Sequence, residues 1–385
     1  MAKNKYIKLY QLVIIGENIK KLIYTYNNKD KRSEKMKVDG KIKLYEAERF
    51  RDLREMITSS VKKYKDKVAF VIKHKKDDKN FTYEEKTFED LDSDIKGLAT
   101  GLLDLGLEDK RIAIIAKNRY EWCTSYLAVV NGVGIVVPLD KSLTDEEIIL
   151  SLKRSKADAL IFERNYLHIM ERIIKEEDTN IAKYICMDEI ENKENILSYK
   201  KIVEDGKRSF DNGNKRYLEK EINPEEMRII LFTSGTTSIS KAVMLSHKNI
   251  VENIYGLNSI VKIYDTDVNL AFLPMHHTFG CTGFLFFLSN GARSVFCDGI
   301  RHVQSNLKEY KVSVFVCVPL LLEMMYKKIN QEVERQGKTK ILSIARKISN
   351  VLLKIGIDVR RKLFKMIIDN LGGNIRLVVS RSCCN

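Results

Sequence analysis

The sequence predicts an α/β protein, two side-by-side α/β subdomains with mainly parallel sheets flanked by helices. Three observations carry that expectation. Runs such as "RIAIIA" (111–116), "GIVVPL" (134–139) and "DALIF" (158–162) are short, branched and apolar throughout, as strands covered on both faces are. Stretches with helical apolar spacing separate them. The same alternation returns after residue 226, the rhythm of strand–helix–strand units.

In chain order, residues 1–36 read as a basic extension, with "NNKDKRSEK" (27–35) a solvated linker. The first subdomain spans 37–225. A helix is expected over 47–64 and a strand over 67–73. Residues 87–106 carry Leu91, Ile95, Leu98, Leu102 and Leu105 at helical spacing. Asn118 is placed to cap a helix that Gly132 stops. "TDEE" (144–147) is a capping box, Thr144 the cap and Glu147 its partner. From 163 to 225 the pattern is less regular, with a strand near 183–187. The second subdomain, 226–385, reads as strands at 228–233, 241–245, 268–273, 292–297 and 312–317. Helices at 247–261, 279–289, 303–309 and 319–330 complete it.

With 44% hydrophobic and 31% charged residues among 385, the chain is globular rather than fibrous or disordered. Its net charge of +15 is segregated. Residues 1–40 hold ten Lys/Arg against four Asp/Glu, and residues 325–370 twelve against four. That distribution, with no nucleic-acid motif, argues against a nucleic-acid binder and toward anionic small substrates or a membrane surface. The seven cysteines (123, 186, 281, 297, 317, 383 and 384) show no CxxC or metal spacing. They fit a reducing, cytoplasmic setting. The apolar run "LVII" is too short for a secretory signal, and no stretch reaches the roughly 18 apolar residues that span a bilayer.

The most unusual stretch is "LFTSGTTSISKAVMLSH" (231–247), where seven of the eight residues 233–240 are Ser, Thr or Gly. Strands are expected on either side, so the run is a hairpin tip. It is not a Walker loop, which needs GxxxxGK[ST] opening a helix. Gly235 lets the backbone turn its amides to one point, the hydroxyls add donors, and Lys241 adds a full positive charge. A polyphosphate suits that set; a flexible Ser/Thr linker is the other reading open to composition alone.

The same string resembles the phosphate-loop signature of the adenylate-forming superfamily, more often written TSGTTGxPKGV. Here Ser238, Ser240 and Ala242 stand at the three variable places. "LPMHHTFG" (273–280) resembles that family's next motif, with His277 as the matching histidine. Residues 44–70 and 118–148 resemble the early core of bacterial long-chain acyl-CoA synthetases. The resemblance covers about residues 37–380. It implies activation of a long-chain fatty acid with ATP to acyl-AMP and transfer to coenzyme A. Thr233, Ser234, Gly235, Thr236, Thr237 and Lys241 would hold the ATP phosphates, Mg²⁺ would bridge phosphate oxygens, and His277 would stand at the acyl carboxylate. An aryl- or amino-acid-adenylating enzyme and a non-catalytic nucleotide- or lipid-binding remnant are the alternatives.

Adjacent histidines on a strand end are expected to face opposite ways, so His276 and His277 are not expected to share a metal. "FGCTGFLFF" (279–287) is either an acyl-tunnel wall or core. The run 341–368 sets Ile341, Ile344, Ile348, Leu352, Ile355 and Val359 on one helical face with Arg and Lys around it. It is either a peripheral contact with the inner membrane face or a core-packing helix pair. The tail "LGGNIRLVVSRSCCN" has Arg381 and Ser382 where the family has glycines, and the family's later motifs do not follow. On that resemblance the expectation is an incomplete N-terminal core, without the family's C-terminal domain or a confidently placed catalytic residue, and of little turnover by itself.

Overall fold

A computed structural model describes residues 12–16, 44–77, 80–176, 179–190, 195–233 and 241–381. In chain order its elements are β1 (Leu12–Gly16), α1 (Leu53–Tyr64), β2 (Val68–Lys75), β3 (Phe81–Thr87), α2 (Phe88–Asp104) and β4 (Arg111–Ile115). Then follow α3 (Tyr120–Ala128), β5 (Ile135–Pro138), α4 (Asp145–Ser155), β6 (Ala159–Phe162), α5 (Leu167–Glu176), β7 (Lys183–Cys186) and β8 (Ile196–Ser198). Next are α6 (Tyr199–Asp211), α7 (Arg216–Glu219), β9 (Met227–Thr233), β10 (Lys241–Ser246), α8 (His247–Ile260), β11 (Val268–Ala271) and α9 (Thr278–Ser289). Last come β12 (Arg293–Phe296), α10 (Val303–Glu309), β13 (Val314–Cys317), α11 (Pro319–Arg335), α12 (Thr339–Lys354), α13 (Arg360–Leu363), α14 (Lys365–Asn370) and β14 (Leu377–Arg381).

These elements form two compact units. The larger holds residues 44–266 and 274–296. Its main sheet runs β10-β9-β5-β4-β6-β7-β8. All neighbours are parallel except the β9–β10 hairpin. β12 and β2 pair in parallel, and β3 returns antiparallel to β2. The parallel strands are apolar throughout because both faces are covered: Ile112, Ala113, Ile114 and Ile115 are all buried. On one face Ile115, Leu139, Leu160 and Phe162 pack with Ile148, Leu152, Ile169 and Met170. Each such side chain withdrawn from water contributes about 1.5–3 kcal/mol.

Local chemistry sets the helix starts. The Asp52 carboxylate accepts the Glu55 N–H at 2.9 Å, so α1 begins at Leu53 rather than at 47. Capping boxes open α2 (Thr87/Asp90), α4 (Thr144/Glu147) and α8 (Ser246/Asn249). Where α2 and α6 cross, a Cβ on Gly206 would stand 1.9 Å from the Gly97 carbonyl oxygen, so only glycine permits that approach. The regular helix α3 ends at Ala128, and Gly132 (φ 153°) turns the chain toward β5. Asn118 is not its cap. Arg119 occupies the cap position, without a side-chain cap bond.

The smaller unit holds residues 12–16, 267–273 and 297–381 among those described. β1 pairs antiparallel with β14, and β14, β13 and β11 run parallel. Part of the expected extension is thus a strand. Arg376 makes a two-pronged ion pair with the buried Asp267, whose Oδ1 also accepts the Ser313 hydroxyl at 2.8 Å. The run 341–368 is not one helix. α12 ends at Lys354, and Gly356 (φ 86°) breaks the chain before α13. Among the described residues no helix is long and apolar enough to cross a membrane.

The division differs from the expected boundary at 225/226. β9 and β10 extend the sheet begun by β4 and β5, because β9 takes its parallel partner from β5 (Ile229 opposite Val136). A contiguous cut could not reveal that long-range pairing.

Candidate functional site at the carboxyl edge of the main sheet

In an open parallel sheet, ligands gather outside the carboxyl ends of the strands. In the larger unit β4 is followed there by Asn118, β5 by Asp140, and β9 by the Ser/Thr-rich run. β5 and β9 are parallel neighbours with Val136 opposite Ile229, so Asp140 and Thr233 both follow toward the same edge.

The ends of that run form a hairpin stem. Thr233 stands directly opposite Lys241, and its hydroxyl donates to the Lys241 carbonyl at 3.4 Å. Both residues are exposed. Ser234, Gly235, Thr236 and Thr237 lie outside the described residues. Behind the stem, Ile229, Ile230 and Leu231 are buried and hold β9 in the sheet. The chain leaving β10 is fixed by His247, which is fully buried. Its Nδ1 accepts the Leu53 N–H at 3.1 Å and its Nε2 lies 3.0 Å from the Val130 carbonyl. These partners require the neutral Nε2–H tautomer. Burial pushes the imidazole pKa down to about 4.

The two histidines of "LPMHHTFG" reach the same edge through a turn. The Asn118 side-chain carbonyl accepts the Met275 N–H at 3.1 Å, and the Cys123 sulfur lies 3.6 Å from that of Met275. The His277 N–H donates to the Pro274 carbonyl at 3.2 Å, and His277 occupies the N-cap position of α9 without a side-chain cap bond. Because β11 ends at Ala271, neither histidine is on a strand, and the expected opposite orientation does not hold. Their ring centroids are 4.2 Å apart. His276 is buried and its Nε2 lies 3.3 Å from Asp140 Oδ1; His277 is exposed. Burial first, then the His277 neighbour, lowers the His276 pKa to about 4, against the pull of Asp140. Burial would raise the Asp140 carboxyl, but bonds from the Ser142 N–H (2.8 Å) and hydroxyl (2.7 Å) keep it below the usual carboxylate range.

The edge therefore holds the exposed hairpin cation, a carboxylate and a histidine pair in one unit. Asp140 and the Asn118 anchor were missed in the sequence, although each closely follows an apolar strand. α9 carries Phe284, Phe286 and Phe287 into the core, where Phe284 meets Trp122 and Tyr126 edge-on. It reads as packing rather than as a channel wall. A cavity of about 600 Å³ in this unit, bordered by Lys86, Asp94, Arg119 and Lys207, includes none of the expected site residues.

A mostly parallel sheet with a hairpin stem and a histidine turn at its carboxyl edge is an α/β arrangement with its polar groups where such sheets bind ligands. The chain belongs to the AMP-binding enzyme family, whose model matches residues 57–380. It is 30% identical over 290 residues to long-chain-fatty-acid–CoA ligase 5 of Rattus norvegicus, covering 71% of this chain and 42% of the relative. It is 24% identical over 368 residues to fatty acyl-CoA synthetase B of Dictyostelium discoideum, covering 89% and 54%. The chain thus spans about half the length of these relatives. The fold is that of a long-chain-fatty-acid-CoA ligase from Archaeoglobus fulgidus, with a TM-score of 0.60 at 20% identity over 72% of this chain and 53% of that one.

Proposed function

We propose that the chain supplies the ATP- and acyl-binding part of an AMP-forming long-chain fatty acid–CoA ligase. A fatty carboxylate oxygen attacks the α-phosphorus of ATP, and the bond to pyrophosphate breaks. The coenzyme A thiol then attacks the acyl carbonyl, and AMP leaves. Positioning and charge neutralisation supply most of the first barrier reduction. Thr233, Ser234, Gly235, Thr236 and Thr237 would cradle the β- and γ-phosphates. Lys241 would neutralise charge at the loop's base, and His277 would orient the carboxylate. Asp140 is paired with His276, so Mg²⁺ would arrive on the triphosphate instead of in a protein cage.

The observation that carries this reading is the Thr233–Lys241 rung, which sets an exposed threonine and an exposed lysine at the carboxyl edge. Calorimetry with ATP, joined to fatty-acid-dependent exchange of pyrophosphate into ATP, tests it. The expected outcome is ATP binding by this chain and fatty-acid-dependent exchange by a chain of the relatives' length. Absence of ATP binding by this chain, or of exchange by the longer one, overturns the reading. A panel of carboxylic acids with a chain of the relatives' full length separates fatty from aryl or amino acid substrates.

α12 supports a peripheral membrane contact. Ile341, Ile344, Ile348, Val351 and Ile355 are all exposed, with Arg346 and Lys347 beside them. Cosedimentation with phosphatidylglycerol vesicles is expected, and Ile344→Asp should abolish it. Equal sedimentation of that variant would refute the contact.

A further inference from the structure

We propose that Asp140, His276 and His277 form a binding site for a divalent transition metal of the zinc class. Each offers one ligand atom, and the three atoms lie within 4.8 Å of one another. Zinc binds imidazole nitrogen and carboxylate oxygen at about 2.0–2.2 Å, so neighbouring tetrahedral ligands stand about 3.3 Å apart. The His276 Nε2 to Asp140 Oδ1 separation is 3.3 Å. The separations to the exposed His277 are no more than 4.8 Å.

An independent observation points to a ligand. The His276 side chain is only 6% exposed, yet its Nε2 is aimed at Asp140 without an aligned hydrogen bond. Buried polar atoms are ordinarily satisfied, and a metal bound between these groups would satisfy this one. Asp140 is already oriented by the two bonds from Ser142, as outer partners orient metal ligands. His276 is held by the Asn118-anchored turn. Two imidazoles and one carboxylate favour zinc, cobalt or nickel over the all-oxygen cations magnesium and calcium. Three protein ligands leave a coordination position open to water or a carboxylate. This inference does not depend on the ligase reading.

The test uses the full chain, metal-free, titrated with zinc by calorimetry and with cobalt by visible absorption. The expected result is one equivalent of zinc and a cobalt spectrum without a thiolate charge-transfer band. Asp140→Asn and His277→Ala should each weaken zinc binding by about tenfold or more. His277 is exposed, so its variant should fold, and circular dichroism checks both. Zinc should raise the melting temperature of the wild type and not of His277→Ala. No zinc binding, a thiolate band, or unchanged affinity in both variants would overturn the proposal.

Discussion

Lowering the pH should unfasten the larger unit at His247. Its ring accepts one hydrogen bond and donates another only in the neutral form, so a proton on Nδ1 meets the Leu53 N–H head-on. An exposed imidazole charges near pH 6.5, whereas burial keeps this one neutral to about pH 4. The unfolded chain therefore takes up the proton first. Stability is full above pH 6.5, falls as pH drops from 6.5 to 4, and levels off below. Each unit of pKa corresponds to about 1.4 kcal/mol, so the loss approaches about 3 kcal/mol.

Trp122 makes the assay specific. It is the chain's single tryptophan, buried in the same unit and stacked on Tyr126. Urea unfolding followed by its fluorescence should lose about 3 kcal/mol between pH 7.5 and 4.5 from His247, in addition to the losses from His276 and the carboxylates. The decisive comparison is His247→Gln, which keeps an amide donor and a carbonyl acceptor. That variant should start less stable by about 1–2 kcal/mol and show a flatter profile. If its pH dependence matched the wild type's, the assigned tautomer and its consequence would be wrong.

Lys241→Ala should weaken ATP binding about tenfold, the loss of one charge-assisted contact, while leaving Trp122-monitored stability unchanged; calorimetry and urea unfolding together check this. Gly206→Ala should cost about 1–3 kcal/mol or more in that unfolding assay, because its methyl collides with the Gly97 carbonyl. In the smaller unit, Arg376→Ala leaves the buried Asp267 without its guanidinium and should destabilise by about 3 kcal/mol. Thiol labelling of the buried Cys317 measures that unit, and labelling as slow as in the wild type would refute it.

What was legible in the sequence was local. The capping box at Thr144 and Glu147 formed as read because its two bonds close within one turn. The strands β4, β5 and β6 appeared within a residue or two of expectation, since an unbroken branched run has few other fates. The hairpin stem was legible from turn composition between two apolar runs. The exposed stripe of α12 shows the limit: Ile341, Ile344 and Ile348 repeat at helical spacing whether the stripe meets a core, a membrane or water, and period alone does not choose.

The candidate site needed pairings between distant parts of the chain. Asp140 and Thr233 are far apart in sequence, and only the parallel pairing of β5 with β9 brings both to one edge. His276 and His277 reach that edge because β11 stops at Ala271 and Asn118 captures the Met275 amide. A motif can name His277, but it does not supply the carboxylate beside its neighbour. The edge thus gathers two kinds of polar group: the exposed Thr233 and Lys241 of the hairpin stem, and the Asp140–His276 pair beside the exposed His277 ring. The first suits a phosphate chain that arrives and leaves. The second, with a buried nitrogen lacking an aligned partner, suits a ligand held by coordination. Lys241→Ala should therefore lower phosphate affinity and leave metal affinity unchanged, and Asp140→Asn should do the reverse, which makes the two independently removable.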